Sequence, residues 1–249
     1  MKYNSMVTQI DELKVQIDQA RPLPDTLLKQ IREYYRIGFT YSSNAVEGNT
    51  LSESETKVVI ENGLTIAGKP LKDHMEAVGH SEAYSHICRL AGSAKIAEQD
   101  ILKLHQLFYQ KIDAESAGRY RDVGVVITGT DYIPPDSKKL PHLMQKFVKN
   151  LGTWRDKLHP MEFAARAHLE FVMIHPFVDG NGRVARLLMN LVLLQQGYPV
   201  TVIPPVVRAD YIEALVKKNQ GDEQPFLNFI SCMVYEAVKD YLRIIKKAV

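Results

Sequence analysis

Apolar positions return every three to four residues along most of the chain, the spacing of one buried helix face. The run MVTQIDELKVQIDQA (6–20) has this period. Leu23-Pro24 breaks it, and a second helix is expected to start near Pro24 or Asp25. It continues through LLKQIREYYRIGFTYSSNAVEG and stops at Gly48, which puts Glu47 in the last helical turn. In TLSESETKVVIENG, Ser52 followed three residues later by Glu55 has the form of a capping box. Further helices are predicted over LKDHMEAVGHSEAYSHICRLA (71–91), AEQDILKLHQLFYQKI (97–112) and HLMQKFVKNLGTW (142–154). HPMEFAARAHLEFVMIH (159–175) carries Pro160 at its N-terminus, and NGRVARLLMNLVLLQQG (181–197) follows after a short loop. RADYIEALVKKN (208–219) and PFLNFISCMVYEAVKDYLRIIKKA (225–248) complete the series.

One stretch departs from the helical period. YRDVGVVITGTDYIPPDSKKLP (120–141) combines β-branched runs with two glycines and three prolines. It reads as a short hairpin: Val123 to Thr128, a turn around Gly129-Thr130, and a return ending at Pro134-Pro135. The expected fold is therefore all-α, a helical bundle with one small β-hairpin. No linker composition separates the helices, so they are expected to share a core.

With 249 residues, 45% apolar and 24% charged, the chain can bury a sizeable core. Lys plus Arg number 31 against 29 acidic residues, a net of +2, so no basic field calls for a nucleic-acid partner. Cys88 and Cys232 lie far apart with no zinc-ligand spacing, and are expected to be reduced thiols in a cytosolic protein. The N-terminus has no apolar signal-peptide region and no run reaches a membrane-spanning length. The expectation is a cytoplasmic protein with no membrane partner.

The chemistry concentrates in HPFVDGNGRVARLLMN (175–190). Gly180-Asn181-Gly182 opens a helix whose free N–H groups and dipole favour an anion, and glycine lets a bulky anion approach the backbone. Arg183 and Arg186, three apart, share a face and can clamp polyphosphate. Asp179, one residue before the nest, would repel phosphate unless a divalent cation bridged them, as Mg²⁺ does with one carboxylate and phosphate oxygens. His175 suits a general base near neutral pH. Taken singly, His175 is equally a helix-capping imidazole, Asp179-Gly180 a turn, and the arginines a solvated face; together they describe nucleotide-dependent transfer.

Glu47 is a second oddity. A carboxylate at a helix C-terminus opposes the dipole, where Lys or Arg is the comfortable choice. Its partner is expected elsewhere in the fold, with Ser43 on the same face one turn earlier.

These residues resemble the Fic family. Its motif, HPFx(D/E)GNGRxxR, is matched at His175, Pro176, Phe177, Asp179, Gly180, Asn181, Gly182, Arg183 and Arg186. SSNAVEG is similar to the family's inhibitory motif at Ser43, Glu47 and Gly48, and AGRYRDVGVVITGTDYIPP to its flap hairpin. The resemblance implies a Fic fold with an N-terminal helical region, 1–95, carrying the inhibitory motif, and a catalytic core, 96–249. It implies transfer of AMP from ATP to a Ser, Thr or Tyr hydroxyl of a target protein, the enzyme itself included, with Mg²⁺ as cofactor. His175 would take the hydroxyl proton and Asp179 would hold the metal. The backbone of Gly180, Asn181 and Gly182 and the Asn181 side chain would bind phosphate. Arg183 would neutralise the leaving pyrophosphate and Arg186 the γ-phosphate, unless Glu47, facing the site beyond the helix end at Gly48, pairs with Arg186 and occupies the fork meant for that phosphate. Phe177 would anchor the loop, Tyr211 and Asn219 would contact adenine, and Val126, Ile127, Thr128 and Gly129 would clamp the target segment. Family members often dimerise or modify themselves. Gly182 stands where phosphorylating, Doc-type relatives have Lys, which argues against that chemistry. The alternative is de-AMPylation with Glu47 positioning the hydrolytic water; a nucleotide-binding module without turnover would carry an eroded motif, and this one is complete.

Overall fold

The computed structural model describes residues 3–127 and 130–248. Among them are ten α-helices: α1 (Val7–Gln19), α2 (Asp25–Ala45), α3 (Glu53–Asn62), α4 (Leu71–Leu90), α5 (Glu98–Tyr109), α6 (Leu140–Lys157), α7 (Pro160–Ile174), α8 (Asn181–Gln195), α9 (Arg208–Asn219) and α10 (Gln224–Ala248). No described helix is long and apolar enough to cross a membrane.

Local chemistry explains several of the ends. Ser52 and Glu55 form the reciprocal cap at the start of α3, with Glu55 N–H on Ser52 Oγ at 3.2 Å and Ser52 N–H on Glu55 Oε2 at 2.8 Å. Gly63 closes the same helix in the left-handed region. Pro160 occupies the first turn of α7, and the His159 ring accepts the Met161 N–H at 3.2 Å.

Helix α8 is the centre of the molecule. It packs along α7, and also meets α4, α5 and α2. Val184, Ala185, Leu187, Leu188, Met189, Leu191, Val192 and Leu193 are all fully buried on it. Asn190, buried among them, is satisfied by donating to the Arg186 and Thr201 carbonyls and accepting the Thr201 N–H, which fastens the segment after α8. Helices α6 and α10 flank α7, and α1 and α9 lie on α10. One apolar cluster runs from Ile10 on α1 to Ile245 on α10.

Two local expectations need correction. The hairpin over 120–135 is absent: the described residues of this segment form no strand. Its limbs are joined at the base by one buried side chain instead. Arg121 donates to the Val123 carbonyl at 2.8 Å and the Pro135 carbonyl at 2.6 Å, and Ser137 Oγ donates to Asp122 O at 3.0 Å. Pro134 and Pro135 have no N–H to give a ladder, so the β-branched pattern alone does not make one. Val126 is 92% exposed, Ile127 is half-buried, and Thr128 and Gly129 lie outside the described residues.

The other correction concerns α2, which ends at Ala45, two residues before Glu47. Gly48 N–H reaches Ala45 O at 3.0 Å and Asn49 N–H reaches Asn44 O at 3.1 Å, with Gly48 at φ +95. This paired closure is the Schellman arrangement, and it needs a residue without a Cβ at Gly48. Glu47 thus projects from the closing turn rather than from the helix.

Candidate functional site

The loop between α7 and α8 is shaped by its own side chains. His175 ends α7 at φ 50, ψ 58, a left-handed conformation that few residues other than glycine adopt. Its Nδ1–H donates to Val172 O at 3.3 Å, which leaves Nε2 as the acceptor nitrogen. Burial holds the imidazole below the usual histidine range, outweighing the bond to Val172 and the nearby carboxylates. Phe177 is fully buried and stacks on His105 at 3.7 Å between ring centroids. His105 is pinned from both sides: Gly118 N–H donates to Nδ1 at 2.9 Å, and Nε2–H donates to Asp179 O at 3.2 Å.

Asn181 is placed differently from its expected phosphate-binding role. Its side chain is buried and both ends are used on Phe177, accepting the N–H at 2.9 Å and donating to the carbonyl at 2.8 Å. The amide is a clasp across the loop; what Asn181 offers an anion is its backbone at the start of α8. No side chain caps that N-terminus, and Asp179 Oδ1 takes only the Gly180 N–H, at 2.6 Å. Gly180 needs its lack of a Cβ twice over: it sits at φ +78, and a Cβ there would lie 2.8 Å from the Phe108 ring.

Arg186 is completely enclosed, with a partner on every side. Nε donates to Ser43 Oγ at 3.0 Å, and Nη2 to Ser43 O and to Glu47 Oε1, each at 2.8 Å. Nη1 donates to the Tyr211 hydroxyl at 3.3 Å, and that hydroxyl meets His168 Nε2 at 2.9 Å. Burial would raise the Glu47 carboxyl, but Arg186 and then Arg183 outweigh it and hold the group below the usual carboxylate range. The carboxylate lies against Gly182: a Cβ on that residue would collide with Glu47 Oε1. Glu47 is therefore lodged at the N-terminus of α8 itself, where the nest would receive an anion.

Arg183 is buried 4.6 Å from the centroid of the Phe108 ring, with Nη1 on Glu76 at 3.0 Å and Nη2 3.6 Å from Asp179. Asp179 is 44% exposed and lies 3.7 Å from Lys72 Nζ. Tyr211, expected against adenine, is buried, and its hydroxyl accepts from Arg186. Asn219 stands at the end of α9 and donates to Thr130 Oγ1 at 3.0 Å. Beside it lies a small cavity of about 90 Å³, lined by Ile127, Tyr132, Val172, Ile212, Leu215 and Asn219 among others.

Several participants carried no signal in the sequence. Glu76, on α4, is buried between Arg183 and the Asn49 amide, which donates to it at 2.9 Å. Arg208 donates to Val46 O at 2.6 Å and so fastens the turn that carries Glu47. Arg121 Nε donates to His175 O at 2.9 Å, tying the loop before α6 to the end of α7. Arg121 falls inside the flap stretch AGRYRDVGVVITGTDYIPP, but no residue type or spacing there marks it as the side chain that ties the loop; Glu76 and Arg208 lie in ordinary helical sequence.

A model of the Fic/DOC family matches residues 95–193. The chain is 36% identical over 242 residues to Protein adenylyltransferase Fic of Nematostella vectensis, covering 95% of this chain and 56% of that protein. It is 34% identical to the protein of the same name from Drosophila grimshawi, over 96% of this chain and 51% of the relative. The chain spans about half the length of the curated relatives it matches. Among solved structures, Fic-1 (residues 134–508) from C. elegans aligns with a TM-score of 0.86 at 30% identity, covering 98% of this chain and 73% of that one. A Fic domain containing signaling protein from Bacteroides thetaiotaomicron aligns with a TM-score of 0.87 at 28% identity, over 97% and 98%.

Proposed function

The chain belongs to the Fic/DOC family, and we propose that it is a self-inhibited protein AMPylase using ATP. The observation that carries this reading is a complete HPFVDGNGRVAR loop whose anion site is covered by the chain's own Glu47. Residues 1–95 supply the inhibitory turn and residues 96–249 the catalytic core.

In the reaction, a target hydroxyl oxygen bonds to the α-phosphorus of ATP, the bond to the bridging oxygen breaks, and pyrophosphate leaves. The hydroxyl proton passes to His175 Nε2, the nitrogen left free by the bond to Val172. The α8 N-terminus and Arg183 stabilise the phosphate charge, and Arg186 takes the γ-phosphate when Glu47 is displaced. Asp179 fits a magnesium ion: it is a half-exposed carboxylate beside the nest. Such an ion would be held by this one carboxylate and the nucleotide's own oxygens, and would neutralise phosphate charge. Asn219 and the neighbouring cavity are where adenine would rest, and Val126 and Ile127 would align the target segment. Dimerisation and self-modification fit the same reading as family habits.

The test is incubation of wild type, Glu47→Gly and His175→Ala with Mg-ATP, read by intact mass. AMP addition in Glu47→Gly, weak in wild type and absent in His175→Ala, is expected; no addition in any of them overturns the proposal. A second reading, removal of AMP from a modified target, draws on Glu47 Oε2, which bonds no described residue and could orient water. Release of AMP by wild type, lost in Glu47→Gln, would favour it.

A further inference from the structure

The end of α7 and the turn after it carry carbonyls with no helical partner. Val172 O takes the imidazole of His175 itself, at 3.3 Å. The next donors all come from the segment before α6. Met173 O accepts from the Tyr132 hydroxyl at 2.7 Å, His175 O from Arg121 Nε at 2.9 Å, and Pro176 O from the Arg121 backbone N–H at 2.9 Å.

Arg121 does more than close a helix end. Its Nη1 and Nη2 donate to Val123 O and Pro135 O at 2.8 and 2.6 Å, and so draw together the two limbs of the loop that carries Val126 and Ile127. The residue is 4% exposed, and burial holds the guanidinium below the usual arginine range. A desolvated charge is a costly way to close a loop, since a neutral side chain can also donate to carbonyls. What the planar fork adds is a fixed angle between acceptors on two segments. One is the backbone of His175, and the others are the two ends of the loop proposed to align the target.

The His175 ring depends on that grip. It is held by one long bond to Val172, and its backbone sits at φ 50. The direction of Nε2 therefore follows from a turn whose carbonyls, at His175 and Pro176, are both fastened by Arg121.

We propose that Arg121, with Tyr132 beside it, is a positioning residue of the transfer reaction: one side chain sets the place of the His175 imidazole and the width of the loop that presents the target hydroxyl, so that base and acceptor are aligned together. This rests on the AMP-transfer reading above. Alignment to near-attack distance is where such a device acts, with little effect on how ATP is held. The charge serves the same end. Burial first, and then Arg121, lower the His175 imidazole, while the bond to Val172, Asp179 and Glu47 act the other way.

The test uses the full chain with Glu47→Gly as the parent, followed by self-labelling with Mg-ATP across pH. Arg121→Lys keeps the charge and loses the fork; Arg121→Gln loses both. In Arg121→Lys the maximal rate is expected to fall by about 100-fold, with the KM for ATP within about twofold of the parent. Its acidic limb should stay in place, whereas Arg121→Gln should move that limb to higher pH. Tyr132→Phe removes one hydroxyl, so it should fold even if the Arg121 variants do not, and should lower the maximal rate by about tenfold at an unchanged KM for ATP. Parental rates in Arg121→Lys or in Tyr132→Phe, or a fall matched by an equal loss of ATP binding, would overturn the inference and leave AMP transfer standing. No labelling in Glu47→Gly itself would overturn AMP transfer, and this role with it.

Discussion

A Cβ on Gly182 would collide with Oε1 of Glu47, so the missing side chain at the first turn of α8 is what lets the carboxylate lie against the helix. Glycine there serves whatever anion occupies the nest, and in this conformation the occupant is the protein's own. Gly182→Ala should therefore loosen Glu47 as well as narrow the phosphate site. We expect ATP affinity to fall, and the ratio of Glu47→Gly to Glu47 activity to shrink toward one in the alanine background, measured by self-labelling.

Replacing Glu47 has two opposed effects. Self-labelling with Mg-ATP should rise by about tenfold or more in Glu47→Gly, in the range of typical coupling free energies. Arg186 then loses its carboxylate while fully buried, so the nucleotide-free variant should unfold at lower temperature, by roughly 3 kcal/mol at most. ATP should restore more Tm in the variant than in wild type.

Asn181 can be tested apart from phosphate. Asn181→Ala leaves the Phe177 N–H and carbonyl buried without partners, at a cost of about 1–3 kcal/mol. We expect the loss in Tm without nucleotide, and a fall in kcat from the disordered loop.

Tyr211→Phe separates a core role from base recognition. Loss of the hydroxyl bonds to Arg186 and His168 should cost about 1 kcal/mol and weaken binding of any nucleoside triphosphate. Discrimination between ATP and GTP should stay unchanged; a selective loss of ATP would return Tyr211 to the adenine site. Asn219→Ala is expected to show the selective loss.

The pH dependence has a worked sign. His105 is held down to about 4, and buried His80 and His168 lie well below the ordinary value. Folded values depressed by burial mean that the unfolded chain takes up protons first. The stability is complete above about pH 6.5 and is lost as pH falls toward the folded values. His105 alone accounts for a loss on the order of 3 kcal/mol by pH 4. Denaturant titrations between pH 7 and 4 check this. The arginines hold Glu47 below the usual carboxylate range, so mild acid is not expected to displace it from the α8 N-terminus. The acidic limb of the pH–rate profile should fall below 6.5, where His175 titrates.

What the sequence made visible follows from what is local. The α8 N-terminus is dictated by Gly180-Asn181-Gly182 and its neighbours, and the helix starts at Ser52 and Pro160 by one or two residues each, so pattern reading reaches them. Glu47 stood out because a carboxylate closing a helix had no local partner. Glu76, Lys72, Arg208 and Arg121 reach the site from elements distant in sequence, and each looks like an ordinary surface charge until the helices are packed. The segment after Tyr120 failed in the opposite direction: its β-branched residues announce strands, but a single buried arginine sets the shape of its base. Asn181 reads as a ligand from its motif, and only the folded loop reveals that its amide is already spent.

Three of the contacts made by helix α9 lie along its length: Arg208 holds the turn bearing Glu47, Tyr211 holds Arg186, and Asn219 holds Thr130 in the segment before α6. It is a crossbar with three fittings cut to one pitch. Adding one residue near its middle would turn everything beyond by about 100°, so the fittings could not all remain seated. The length of this helix is thus under tighter constraint than its surface, because one added residue would put Asn219 out of register with Arg208 and Tyr211.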